Sequence, residues 1–178
     1  MKRGMRISLT LIVLLLAGYV VFAWRFELAA DFWHWRYGQS FIIRDYQVPV
    51  PDGWLVWTSD ESHVTMRKPT GKGDMNVVTV GRTWRGSPNL DAWKDWQEQN
   101  VRGRLVITEK TLQSAGETVM CVASGLPSDD FLWVLCSSTG KLTATYFGRQ
   151  AGLENFYGIV SQVRKFSTTT SDNHPPNA

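Results

Sequence analysis

The chain has 178 residues, 19 of them basic and 16 acidic, for a formal net charge of +3. That length holds one domain with its own core and is short for two. Three of the positive charges, Lys2, Arg3 and Arg6, precede an apolar run, so the remainder is near neutral and lacks the clustered cations from which nucleic-acid binding draws its affinity.

The apolar run, Ile7 to Trp24, reads ISLTLIVLLLAGYVVFAW without a charge. At ~1.5 Å rise per residue it reaches ~27 Å, close to the thickness of a bilayer's hydrocarbon core. Basic residues lie ahead of it, and Arg25 behind it is diluted by Glu27 and Asp31. The positive-inside rule then leaves residues 1–6 as a cytoplasmic tail, makes 7–24 a transmembrane signal anchor, and exports the rest. In a bacterium that is an inner-membrane protein with its domain in the periplasm. A cleaved signal peptide competes, with Val21 and Ala23 as small residues of a processing site. The length of the run, and Trp24, Phe26, Trp33 and Trp35 placed like an interfacial belt, favour the anchor. Residues 25–44, with the helix-compatible FELAADFWHWRY, predict an aromatic juxtamembrane stalk or a stretch lying along the headgroups.

The domain is expected over 45–166 as an α+β fold, a mainly antiparallel sheet packed with two amphipathic helices. Gln47 to Val50 opens it as a short strand, and Pro51-Asp52-Gly53 turns the chain into Trp54-Leu-Val-Trp57. The odd spacing of Trp54 and Trp57 puts them on opposite strand faces. His63 to Lys68 and Met75 to Arg82 are β-rich runs with a Gly-containing connection, the pattern of a hairpin. Asn89 is placed to cap a helix on which Leu90, Trp93 and Trp96 recur at helical spacing. Arg104 to Leu112 returns to strand.

The two cysteines, Cys121 and Cys136, lie in ETVMCVAS and FLWVLCSS, separated by the turn-like LPSDD. A turn over Pro127 to Asp130 pairs Leu126 with Phe131 and sets 121 opposite 136, within reach of a cross-strand disulfide that an exported compartment permits. A further strand, Leu142 to Phe147, follows a turn placed at Thr139-Gly140. In that register Met120, Val122, Trp133, Leu135, Leu142, Ala144 and Tyr146 share a core face, while Cys121, Cys136, Val134, Thr143 and Thr145 share the other. Leu153, Phe156, Val160 and Val163 predict a closing amphipathic helix ending near Arg164-Lys165. The polar tail 167–178 has nothing to bury and is expected to be disordered.

This order of elements, with Pro51-Asp52-Gly53-Trp54 near its start and FYGIVSQVRKF at its end, resembles the PsbP and DcrB group of α/β/α sandwich domains over about residues 45 to 166. The resemblance implies a binding or assembly module without a fixed active-site motif to carry over.

Ser59-Asp60-Glu61-Ser62-His63 holds hydrolase residue types in one loop, but no nucleophile elbow G-x-S-x-G occurs. Asp129 and Asp130 suit a turn better than a calcium site. His34, His63 and His174 are too scattered for metal-ligand spacing. The recognition candidates are Arg82, Trp84 and Arg85, an Arg-Trp-Arg cluster leaving a strand, with the side chains that dominate protein interfaces. No cofactor is expected. The expected function is a membrane-anchored periplasmic module that binds a protein partner or serves assembly in the envelope or a secretion system, and not an enzyme. The alternatives are an immunity protein against a periplasm-acting toxin and a domain that holds a small apolar ligand.

Overall fold

The computed structural model describes residues 2–69, 75–82, 88–100, 106–125 and 130–165, without the side chains of 2–10, Met75 and Val106. Two helices open the chain, α1 (Lys2–Ala23) and α2 (Arg25–Tyr37). Their axes differ by 68° across Trp24. The Arg25 guanidinium holds this corner: it donates to the Phe22 carbonyl at 3.1 Å and lies 4.1 and 4.8 Å from the ring centres of Phe22 and Phe26. Among the described residues no single helix is long and apolar enough to cross a membrane, and Leu11–Ala23 with Arg25–Tyr37 meets that measure only as a bent pair. Residues 7–10 of the expected span have no described side chains.

Within 25–44, α2 is packed against the domain. Ala30 is fully buried, Trp33 packs on the domain core, and the two His34 ring nitrogens each lie 3.1 Å from a carbonyl oxygen, of Gly38 and of Pro51. The domain also starts before residue 45. Ser40–Ile43 is strand β1, which folds back through Arg44 and Asp45 onto β2 (Tyr46–Pro49). Phe41 packs on the core and Ile43 is buried in it, the period-two alternation of a strand with one covered face.

The Pro51-Asp52-Gly53 turn forms as the sequence predicts. Trp54 N–H donates to the Pro51 carbonyl at 3.1 Å, and Gly53 takes φ +77°, a conformation open to glycine at no steric cost. Then come β3 (Leu55–Ser59), β4 (His63–Pro69), β5 (Met75–Arg82), α3 (Leu90–Asn100), β6 (Val106–Ser114), β7 (Glu117–Gly125), β8 (Phe131–Ser138), β9 (Leu142–Arg149), a 3-10 turn, α4 (Leu153–Ser161) and β10 (Arg164–Lys165). β3 to β9 form one antiparallel seven-stranded sheet in the order β3-β4-β5-β9-β8-β7-β6, and β1-β2-β10 form a small second sheet. The core lies between the inner face of the large sheet, α4 and the small sheet. Asn89 caps α3 as expected, its Oδ1 accepting from the N–H groups of Asp91 and Ala92 at 3.0 and 3.1 Å.

Three expectations are corrected. In α3 the inner position belongs to Gln97, which is buried, while Trp96 is half exposed. The closing helix ends at Ser161; Arg164 and Lys165 instead pair with Gln47 and Tyr46 as a strand. The third concerns the sheet faces. The connection after β8 is longer than a turn at Thr139-Gly140: Ser138 Oγ accepts the Leu142 N–H at 3.1 Å, and Ser137 faces Thr143. A slip of one residue flips every side chain of a strand. Leu142, Ala144 and Tyr146 therefore join Cys121, Cys136 and Val134 on the core face, and Met120 and Trp133 face outward, each about half exposed.

The cysteine register holds. Cys121 faces Cys136 with Cα atoms 4.0 Å apart and the sulfurs joined, both residues buried. Lys165 Nζ reaches Glu117 Oε1 at 2.7 Å and ties the small sheet to β7. Burial works against the Glu117 carboxylate, but Lys165, the Ser138 hydroxyl and the Gly140 amide together hold its pKa below the usual 4.5.

Replacing both cysteines by alanine is expected to lower unfolding stability by about 3 kcal/mol in denaturant titration, the loop-closure value for a bridge of this span, and reduction of the wild type should reproduce the loss. The Glu117 pairing has a distinct pH signature. A depressed carboxylate pKa contributes stability above its unfolded value of 4.5, and that share vanishes as pH falls through the folded value. Glu117→Gln should therefore melt below wild type at about pH 7, with the gap narrowing toward about pH 3.

Candidate functional site

The outer face of the large sheet carries a row of aromatic and basic side chains that the core does not use. On β8 the outward positions are Phe131, Trp133 and Leu135, and they face Arg149, Phe147 and Thr145 of β9. Phe131 and Phe147 stack with centroids 5.7 Å apart, and Trp133 meets Phe147 edge-on at 5.2 Å. Trp133 is 51% and Phe147 42% exposed. One ladder row runs Arg67, Val77, Phe147, Trp133 across β4, β5, β9 and β8. It is extended by Trp57, the extra residue of a bulge in β3, over whose ring the Arg67 guanidinium lies at 4.3 Å.

One end of this row is rigidly built. The Tyr146 hydroxyl donates to the Arg149 carbonyl at 2.6 Å, and Asn76 Oδ1 accepts the Arg149 N–H at 3.0 Å. Burial, with the nearby Asp130 charge adding to it, pushes the Tyr146 phenol up to about 12, so it stays a donor at any physiological pH. With its backbone fixed, Arg149 pairs with Asp130 at 2.7 Å and lies 5.3 Å above the Phe131 ring.

α3 covers only the neighbouring part of this face. Lys94 fastens it, donating to Glu109 Oε1 at 2.6 Å and reaching Asp91 Oδ1 at 3.0 Å; these contacts raise the Lys94 pKa. Cavities flank the helix on either side. One of 240 Å³ is lined by Val77, Trp93, Trp133, Leu135 and Phe147, and one of 380 Å³ by Leu90, Met120, Val122 and Ser137 among others. Ser137 Oγ and Gln97 Nε2 are buried without a hydrogen-bond partner among the described residues. A further cavity of 530 Å³, between α4 and the Pro51–Gly53 turn, has mixed walls, with Asp52, Lys68 and Glu154 beside Val50, Trp54 and Ile159.

The predicted recognition cluster is only partly in view. The Arg82 guanidinium is paired within the fold, 2.6 Å from Asp45 Oδ2, and the Arg82 backbone N–H donates to the Ser62 carbonyl at 2.8 Å. Trp84 and Arg85 lie outside the described residues, as do Asp129 and the tail 167–178. Trp54 is buried and Trp57 half exposed, on opposite faces as their spacing predicts.

The Ser59–His63 loop is a turn cap. Asp60 Oδ1 accepts from Ser62 N–H at 2.6 Å, Ser62 Oγ at 2.8 Å and His63 N–H at 2.9 Å; the Ser62 bonds lead in lowering its pKa. Ser62 Oγ and Asp60 Oδ2 both approach the same ring nitrogen, His63 Nδ1, whereas a catalytic relay needs them on opposite nitrogens. Among the described residues no three His, Cys, Asp or Glu side chains gather where they could hold a metal ion.

Sequence reasoning missed Phe131, Trp133 and Phe147 as a surface. The available signal was the alternation of Phe131, Trp133 and Leu135, and its reading depended on the β8–β9 register.

No family model matches the chain, and no curated protein matches it. A crystal structure from Bacteroides thetaiotaomicron VPI-5482 is similar over 73% of this chain, at 11% identity and a TM-score of 0.36, and the chain spans about half (49%) of its length. A likeness at that level carries no argument.

Proposed function

We propose that this chain is a membrane-anchored module of the bacterial envelope, with its domain on the periplasmic side, where it binds a protein partner through the aromatic face centred on Trp133 and Phe147. The observation that carries this reading is the contiguous row from Trp57 and Arg67 to Phe147, Trp133 and Phe131, with Trp57 and Trp133 each half exposed. Exposed apolar patches rimmed by charge mark interaction sites, and Trp and Arg are the side chains that most often dominate a protein interface. The row lies on an open sheet face, which suits a partner's surface better than a small molecule that must be enclosed. The uncharged stretch of α1 behind a basic N-terminus supports the anchor.

The test is crosslinking and affinity capture of the tagged full chain from membranes, wild type beside Trp133→Ala, Phe147→Ala. A hot-spot pair of this kind is worth roughly 2 kcal/mol or more, about a 30-fold loss of affinity, so the variant should lose the captured protein while keeping its thermal stability. Equal capture by both chains would remove this face as the binding surface. A captured exported toxin would assign the partner to the immunity class.

Ser137 favours a second reading, a small apolar ligand with one polar group held under α3. Its unpaired hydroxyl lines a cavity with apolar walls, Leu90, Met120 and Val122. Native mass spectrometry of the gently extracted chain should then show a retained amphiphile that Ser137→Leu expels; a wild type that retains nothing would end this reading.

A further inference from the structure

The side of α2 turned away from the domain is apolar without a partner in the fold. Leu28, Phe32 and Trp35 recur at i, i+4 and i+7 and are 48%, 62% and 79% exposed. At 100° per residue they form one stripe, and Trp24, itself well exposed, continues it toward α1. Arg25 and Arg36 flank the stripe on one side, Asp31 and Glu27 on the other. The opposite side of the helix, through Ala30, Trp33 and His34, is fastened to the domain. These four charges argue against burying α2 in hydrocarbon, where each would cost about 2.5–3.5 kcal/mol at the centre of a span. An apolar stripe with aromatic rings and flanking charge matches the boundary between headgroups and acyl chains.

The corner at Trp24 gives α2 the corresponding direction. With α1 along the membrane normal, an axis 68° away lies within about 22° of the membrane plane, a gap that the usual helix tilt of about 20° closes. The described part of α1 is exposed along its whole length, so the domain does not lie beside it. We propose that α2 lies in the headgroup layer of the bilayer that α1 enters, with Leu28, Phe32 and Trp35 in lipid and the domain fixed on its other side. This rests on the reading of α1 as an anchor.

The test uses the full chain in phosphatidylethanolamine and phosphatidylglycerol vesicles, with an environment-sensitive NBD label on Leu28→Cys or Trp35→Cys and, for comparison, on Trp96→Cys in α3. The native cysteines are buried in their disulfide and do not react. Labels at 28 and 35 should show blue-shifted emission and roughly fivefold less quenching by aqueous iodide than the label at 96, in protein that resists alkaline carbonate extraction. Equal quenching at all three sites in carbonate-resistant protein would overturn the proposal and leave the anchor standing. Release by carbonate would overturn the anchor, and the proposal with it.

Discussion

The pairing of β9 with its neighbours decides what the domain keeps inside and what it shows. β9 is the middle strand of seven, between β5 and β8, and its inward side chains, Leu142, Ala144 and Tyr146, are all buried. Ala144 lies in a ladder row with Val80 and Cys136, and Tyr146 in one with Val78 and Val134, so one register serves both neighbouring strands. A slip by one residue would put Phe147 into the core and Tyr146 into solvent. Asn76 of β5 opposes that slip, because its side-chain oxygen accepts the Arg149 N–H across the strand pair, while the Tyr146 hydroxyl bonds the carbonyl of the same arginine. The exposed aromatic row is thus the complement of the core, set by the same pairing.

Around this sheet, apolar burial carries the energy and charge pairs set position. Trp54, Phe156 and Ile159 bury large side chains almost completely, each worth roughly 1.5–3 kcal/mol. The pairs Arg82–Asp45 and Lys165–Glu117 attach the small sheet to the large one at two points. Partly exposed pairs of this kind contribute little net stability, about 0–1 kcal/mol. Their effect is to choose where the small sheet sits once the core has formed.

The features legible in the sequence are those whose cause is local. A proline, an aspartate and a glycine in succession fix the 51–53 turn, Asn89 caps the helix that follows it, and a short connection between two β-branched runs sets Cys121 against Cys136. What escaped reading depends on distant partners. Arg164 and Lys165 look like the end of a helix until Gln47 and Tyr46 are there to pair with them. Arg82 looks free to recognise a partner until Asp45, 37 residues away, is folded beside it. The faces of β8 and β9 hinged on a loop in which the Ser138 side chain replaces a backbone turn contact, and composition does not reveal that substitution. Trp133 was visible as a residue, but its side of the sheet was not.

Only Gly38 and Gln39 separate α2 from β1, and His34 bonds across that gap to Gly38 and to Pro51. A flexible linker would let a domain sweep a volume that grows with linker length. Here there is no slack to release. On the proposed reading of α1 as an anchor, a domain seated this way would meet a partner by sliding sideways, at one height and in one attitude above the bilayer. Its search would then be planar, and a partner in the same membrane would be presented again and again with the same face.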